Sequence, residues 1–234
     1  FPTTFRGLWT AEQESAGKTT AMLVTASLSA NPVNAKGTYA ALRARIAKAS
    51  NEPEDSLRTF YYDAVGRVYG ASGLNSGGNS TLTLLLEEGY KRNATDSWSV
   101  SRAEQEFSIF FPVFMSGAGT SLPRDLRSRT IVIRMSPGKP RRYFDVRESE
   151  AEAEALGKAL GAAVTARMDD LKDFRALGLH PRLITRRLEV WEPLFGVAWV
   201  LGGQRWLNKC RDAFTGISLS AEQSALTLRQ QMIR

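Results

Sequence analysis

Residues Glu14–Thr20 read ESAGKTT, and this stretch decides the fold class of the chain. It follows the short apolar segment Leu8-Trp9-Thr10 and opens an alanine-rich, helix-like segment that runs to Ala30. A strand, a loop ending in Gly-Lys-Thr and a helix, in that order, are the context of a phosphate-binding loop, or P-loop. A loop at a helix N-terminus directs several backbone N–H groups and the positive dipole end at one point, which suits a phosphate chain. We therefore expect an α/β fold with a P-loop NTPase core.

The side chains of this loop have separate expected tasks. Lys18 would reach the β- and γ-phosphates, and the Thr19 hydroxyl would ligate Mg²⁺. Glu12 stands where the pattern GxxxxGK[ST] usually has its first glycine. The alternative interpretation is that Gly17 only precedes a helix and that Lys18 is solvated. The predicted nucleotide-binding residues are Ser15, Ala16, Gly17, Lys18, Thr19 and Thr20.

Apolar and helix-like segments alternate along the first part of the chain, which predicts a parallel sheet covered by helices. The predicted strands are residues 8–10, 31–35, 59–62, 109–115 and 128–135, and the predicted helices are residues 20–30, 39–49 and 82–90. Residues 95–106 are predicted as a polar loop. After Pro140 the chain becomes Ala/Glu-rich, and no strand is predicted there. We expect residues 1–140 to form the core and residues 141–234 to form a helical lid domain.

A second chemical motif is Phe60-Tyr61-Tyr62-Asp63, an apolar strand that ends in a carboxylate. In P-loop NTPases such an acid holds the Mg²⁺ beside the loop. The alternative is that Asp63 caps a turn after a core strand. Many such ATPases place Glu next, where it polarises the attacking water, and this chain has Ala64. We expect weak hydrolysis, a substitute acid elsewhere, or an engineered Glu-to-Ala change that traps bound nucleotide.

Two arginine-rich segments are further candidates. Arg129, with Arg127 as second choice, precedes a predicted strand, where oligomeric ATPases often carry an arginine that enters the neighbouring subunit's site. Arg186, with Arg187 as alternate, precedes a predicted lid helix and would sense the γ-phosphate. Solvated turns and surface ion pairs are the alternatives for both. In the same helix, apolar residues at three- and four-residue spacing predict a packed core face: Trp191, Leu194, Phe195, Ala198 and Trp199.

The composition bounds the functional classes. The chain has 234 residues, 43% hydrophobic and 24% charged, enough for a sizeable core. Its formal charge of +7 permits nucleic-acid contact but does not require it, and Trp98 near Lys91 and Arg92 is one candidate contact. Single Cys210 and His180 exclude an internal disulfide and Cys-rich or His-based metal sites, and indicate a reducing compartment. No apolar run approaches the ~20 residues that span a bilayer.

Several segments together resemble a family of uncharacterised P-loop ATPase domains. These are LWTAEQESAGKTT, FYYDAVGRVYG, LLLEEGYKRNAT, FPVFMSGAG, LPRDLRSRTIVIRM and LITRRLEVWEPLFGVAWVLGG. That family occurs in actinobacterial, phage and mobile-element replication proteins, and it is similar to AAA+ and superfamily-3-like helicase ATPases. The resemblance implies that Lys18, Thr19 and Asp63 bind nucleotide and Mg²⁺, and that Ser116 lies near the sensor position. It also implies that Arg129 is the intersubunit arginine and Arg186 the lid sensor.

The resemblance gives two expected functions. The first is an oligomeric ATP-driven motor or helicase that acts on DNA, for example as a hexameric ring, in the cytoplasm of a bacterial or phage-infected cell. The second is a nucleotide-gated oligomeric switch in phage defence or packaging, with little hydrolysis. A small-molecule P-loop kinase ranks below both. Because the chain begins at Phe1, we expect a linked or separate replication domain upstream, and no membrane partner.

Overall fold

A computed structural model of the chain describes residues 1, 3–36, 39–51, 58–63, 65, 80–100, 103–118, 122–139, 145–174 and 185–232. In chain order, its elements are β1 (Arg6–Ala11), α1 (Lys18–Ser27), β2 (Pro32–Asn34), α2 (Tyr39–Ser50), β3 (Thr59–Tyr62), α3 (Ser80–Glu88), β4 (Thr95–Val100), β5 (Ala103–Ser108), β6 (Val113–Ala118), α4 (Arg124–Ser128), β7 (Ile131–Arg134), α5 (Val146–Thr165), α6 (Met168–Asp173) and α7 (Thr185–Met232).

The main sheet is parallel and has five strands in the order β2-β3-β6-β1-β7. Its central strand, β6, pairs with both β1 and β3, so that Trp9 lies beside Ser116 and Tyr62 beside Met115. Strand β1 is buried along its whole length, as expected for a parallel strand covered on both faces. The predicted α/β fold with a parallel sheet flanked by helices is confirmed.

The two faces of the sheet carry different helices. One face buries Leu8, Phe60 and Met115 against apolar residues of α2, α3 and α4. The other face buries Ile131 of β7 against α7. The chain runs from β1 to the edge strand β2 and then returns in the opposite direction to β3. Because connections between parallel strands are right-handed, these two opposite steps place α1 and α2 on opposite faces of the sheet.

The predicted polar loop 95–106 is wrong, because these residues form an antiparallel hairpin of β4 and β5. One side faces solvent, since Glu104 and Glu106 are exposed, while Phe107 joins the core. Arg43 of α2 holds the hairpin through a 2.8 Å ion pair with Asp96. Such a tether supports a two-stranded element that has few apolar residues of its own.

The strand predicted at residues 128–135 is shorter than expected. Residues Arg124–Ser128 form the short helix α4, and β7 covers only Ile131–Arg134. Leu126 of α4 is fully buried, so one apolar anchor between charged residues holds a helical turn directly before the strand. The predicted strand 109–115 is likewise displaced, because residues 109–112 lie outside β6.

The C-terminal elements are helical, as predicted, and α7 folds back on itself. Gly203 has φ 58° and ψ −156°, a conformation that only glycine adopts without strain. The rings of Trp191 and Phe214 lie 5.4 Å apart across the turn, although a straight helix would separate them by about 34 Å. The predicted core face is correct for Trp191 and Phe195, which are buried, and wrong for Trp199, which is 44% exposed.

Candidate functional site: the carboxyl edge of the sheet

The loop between β1 and α1 has two residues with positive φ, and it ends at the N-terminus of α1. Gly17 is the N-cap residue of α1 with φ 78°, and Ser15 also has a positive φ, 57°. A non-glycine residue in that region costs about 1–3 kcal/mol and often marks a functional loop. Among the described residues, no side chain caps α1, and no acidic residue lies in its first turn. Its N–H groups and dipole therefore face no protein anion there.

Lys18 is bent back over this loop. Its ammonium donates a hydrogen bond to the Gln13 carbonyl, with Nζ and O 3.2 Å apart. Lys18 is half-buried, while Gly17, Thr19 and Thr20 are exposed and Ala16 is buried. The loop therefore presents a cation and open backbone at one surface, with Ala16 anchoring it to the protein.

Hydroxyls from two separate segments donate to the same oxygen of the Asp63 carboxylate. The Thr19 hydroxyl of α1 donates to Asp63 Oδ1 at 3.3 Å. The Ser116 hydroxyl of β6 donates to the same oxygen. Ser116 is buried, whereas Asp63 is half-buried at the end of β3. The structure therefore brings together Thr19, Asp63 and Ser116, three of the residues chosen from sequence.

The strand order explains this meeting. Helix α1 leaves β1 toward β2, while the connection from β6 crosses to β7 on the far side of β1. Connections that leave neighbouring strands in opposite directions open a crevice at their carboxyl ends, which is where ligands bind in open α/β sheets. We call this region, formed by the Gly17–Thr20 loop, Asp63 and Ser116, the carboxyl edge.

The carboxyl edge suits Mg²⁺ with a phosphate ligand better than a cation held by protein alone. Within the described ranges, no three His, Cys, Asp or Glu side chains cluster into a metal site. Mg²⁺ in phosphate sites is held by one or two protein oxygens, waters and the phosphates themselves. The Thr19 hydroxyl and the Asp63 carboxylate are such oxygens, and they already lie side by side.

Arg129 lies at the other end of the strands, before β7. Its Nη1 is 4.0 Å from Glu87 Oε2, and its guanidinium carbon is 5.3 Å from the Tyr90 ring centroid. Both members of the ion pair are mostly buried, at 15% and 16% exposure. Burial raises the pKa of Glu87, and the attraction of Arg129 opposes that rise. Within its own chain, Arg129 is therefore packed against α3, and Arg127 is the exposed arginine of the pair.

The remaining predicted residues lie apart or outside the described residues. Arg186 is exposed in the first turn of α7, and no hydrogen bond or ion pair between described residues joins it to the Gly17–Thr20 loop. Ala64 lies outside the described residues, as does the side chain of Trp98. The roles of Arg129, Arg186 and Ala64 stay predictions.

Two features were not anticipated. Met135, directly after β7, lies beside the loop, because a Cβ added to Gly17 would be 3.8 Å from its Cε. Strand register places it there: the Met135 N–H donates to the Thr10 carbonyl, and only knowledge of the strand order could have predicted this. A separate cavity of about 540 Å³ lies between α6 and α7, lined by Arg167, Asp170, Asp173, Phe174, Trp199, Val200 and Gly203.

No protein-family model matches the chain, and no curated protein matches it significantly. The resemblance to P-loop ATPase domains therefore rests on the quoted motifs. Among the helices that the structure describes, none is long and apolar enough to cross a membrane.

Proposed function

We propose that the chain binds a nucleoside triphosphate, expected to be ATP, together with Mg²⁺ at the carboxyl edge. The observation that supports this most is the meeting of Thr19 and Ser116 on Asp63 Oδ1, directly in front of the uncapped N-terminus of α1. A structural turn cap at Asp63 would not require hydroxyls from two other elements. The convergence favours a site that holds a cation and phosphates.

The proposed chemistry is phosphoryl transfer to water. In this reaction the protein mainly positions the phosphates and offsets their charge. Lys18 and the α1 N-terminus would offset the negative charge, Thr19 and Asp63 would hold Mg²⁺, and Ser116 would orient Asp63. Bound Mg²⁺ would neutralise charge on the phosphate oxygens.

The biological role that we propose is an oligomeric motor or helicase that acts on DNA in phage or mobile-element replication. The formal charge of +7 is compatible with a nucleic-acid partner. In such an assembly Arg129 of one subunit would complete the site of the next, and Arg186 would couple the lid to the γ-phosphate. These roles follow from the resemblance.

Lys18→Ala tests the nucleotide site directly. We expect affinity for a fluorescent ATP analogue to fall at least ~100-fold, because the only side-chain cation of the loop is lost. Lys36→Ala is the matched control, since Lys36 is an exposed lysine after β2 and changes the net charge equally. Equal affinities for parent and Lys18→Ala chains would refute the P-loop assignment.

A nucleotide-gated switch is the second candidate, and Ala64 is the observation that favours it. Without a carboxylate after Asp63, an attacking water has no base at the expected position. We expect background turnover in the parent chain and a DNA-stimulated rise in Ala64→Glu if the chain is a motor. A rise that DNA does not affect would favour the switch, and no rise would exclude Ala64 as the position of a replaced base.

A further inference from the structure

The turn of α7 at Gly203 exposes a tryptophan on each arm of the helical hairpin. Trp199 on the first arm is 44% exposed, and Trp206 on the second arm is 54% exposed. Exposed basic and polar residues surround Trp206 along the helix, and the nearest exposed large apolar residue in the chain is Leu201, at 40%. We propose that Trp206, with Arg205 and Lys209, forms a stacking platform that binds single-stranded nucleic acid.

The Trp206 ring is held in place while it is exposed. A Cβ added to Gly202 would lie only 2.1 Å from Cδ1 of Trp206, so the indole packs against the glycine backbone across the turn. Glycine at 202 therefore leaves room for the ring, and the ring loses little further conformational freedom when a ligand stacks on it. Such preorganisation is what raises the affinity of an exposed aromatic for a flat partner.

One cation lies over the ring, and a second lies next to that cation on the helix surface. Lys209 Nζ lies 4.7 Å from the Trp206 ring centroid, and both Lys209 and Arg205 are exposed. Residues three and four apart are neighbours on a helix surface, so Lys209 adjoins both Trp206 and Arg205. A base would stack on the ring, and the two cations would contact the flanking phosphates, which is the usual composition of a single-strand site.

The surroundings distinguish nucleic acid from an apolar partner. Trp199 shares its cavity with Arg167, Asp170 and Asp173. Arg167 pairs with Asp170, so the Asp173 carboxylate leaves a net negative charge there that would repel a phosphate backbone. A membrane or a protein partner held by apolar contact would need a wide apolar face. Around Trp206, however, Gln204 and Asn208 are exposed and hydrogen-bonded to each other at 2.7 Å.

The test is a titration of a fluorescein-labelled oligothymidylate with the whole chain, without added ATP or other nucleoside triphosphate. We expect Trp206→Ala to weaken binding about tenfold, since a stacked base contributes that much, and Trp206→Tyr to retain most of the affinity. Trp199→Ala is the matched control and should leave affinity within about twofold of the parent. Lys209→Gln should lower the salt slope of log affinity by about 0.7, as for one phosphate contact on a single strand.

Several outcomes would overturn the proposal. The first is an oligonucleotide affinity of Trp206→Ala equal to that of the parent. The second is a loss of affinity in Trp199→Ala as large as that in Trp206→Ala. The third is a parent chain that binds anionic lipid vesicles and does not bind the oligonucleotide. Because the titration contains no nucleoside triphosphate, its result does not depend on the proposal that the chain binds ATP at the carboxyl edge. Lys18→Ala should bind the oligonucleotide as the parent does, so the failure of one proposal is distinguishable from the failure of the other.

Discussion

The two ends of the parallel strands differ in how far their charged and polar groups are exposed to solvent. At the carboxyl edge, Thr19, Asp63 and Ser116 converge in partial contact with solvent, beside an open helix N-terminus. At the other end, which we call the amino edge, Arg6 is fully buried, and Arg129 and Glu87 are 15% and 16% exposed.

The chemistry of the partners differs as well. At the amino edge the cations lie over aromatic rings: Arg6 lies 5.1 Å from the Phe111 centroid and Arg129 lies 5.3 Å from that of Tyr90. At the carboxyl edge hydroxyls donate to one carboxylate. Buried cations on rings pack and hold elements together, whereas accessible oxygens around an open N-terminus can receive a ligand. We therefore expect the amino edge to contribute mainly to stability and the carboxyl edge to be the one available to a ligand.

Arg6→Ala should have the largest effect on stability. Arg6 donates to the Leu86 carbonyl of α3 and fills the space above Phe111, so its loss leaves a cavity and removes a donor from a buried carbonyl. We expect a loss of about 3 kcal/mol in the free energy of unfolding, measured by urea denaturation, with ATP affinity unchanged. Arg6→Met, which keeps most of the volume, should cost less. A loss of nucleotide affinity in a folded Arg6→Ala chain would contradict the division between the edges.

Ser116→Ala should weaken Mg²⁺-dependent nucleotide binding. The Ser116 hydroxyl orients the Asp63 carboxylate, and a hydrogen bond to a charged group is worth about 1.5–3 kcal/mol. We expect nucleotide affinity to fall about tenfold in the presence of Mg²⁺ and to stay unchanged without Mg²⁺. Ser128→Ala, in which an exposed hydroxyl of α4 is removed, is the control. An equal loss with and without Mg²⁺ would mean that Ser116 does not act through the cation.

Arg129 tests whether a residue of the amino edge also serves catalysis. Arg129→Ala should cost about 1 kcal/mol of stability, because it removes the contact with Tyr90, while exposed Arg127→Ala should cost under about 0.5 kcal/mol. In an Ala64→Glu background, Arg129→Ala should spare nucleotide binding and abolish assembly-dependent hydrolysis. Full turnover there would reject Arg129 as the intersubunit arginine, and a loss only in Arg127→Ala would transfer that role to Arg127.

Local patterns predicted most of the parallel sheet, because its strands and the helices beside them have clear apolar segments and breaks. Gly17-Lys18-Thr19 and Asp63 could be placed at the ends of β1 and β3 from sequence alone. Their contact through Ser116 depends on β6 lying between those strands, which apolar segments do not reveal. The resemblance to P-loop ATPase domains supplies the strand order of the sheet only by analogy.

Three structural features were not predicted from the sequence, and each has a physical reason. The β4–β5 hairpin was missed because its solvent-facing side is polar and its stability depends on Arg43 of another element. The fold-back of α7 was missed because Gly202-Gly203 interrupts an otherwise continuous helical pattern by only two residues. The burial of Arg129 against Tyr90 is a tertiary contact with no local signal.

Glu87 gives the smallest expected effect and the finest test of the comparison. Burial raises the pKa of Glu87 above its ordinary value of 4.5, although Arg129 opposes the rise. A carboxyl group with a raised folded-state pKa binds its proton more tightly in the folded chain than in the unfolded chain. Its contribution to stability is therefore fully present below about pH 4.5 and is lost as the pH rises through the folded-state pKa.

Replacing Glu87 with Gln removes this titration, so Glu87→Gln should be more stable than the parent at neutral pH, by no more than about 1 kcal/mol. The advantage should vanish as the pH falls toward 4.5, and melting temperatures measured across that range would show it. Parallel curves for Glu87→Gln and the parent would mean that burial does not raise the pKa of Glu87, and the amino edge would then be as open to water as the carboxyl edge.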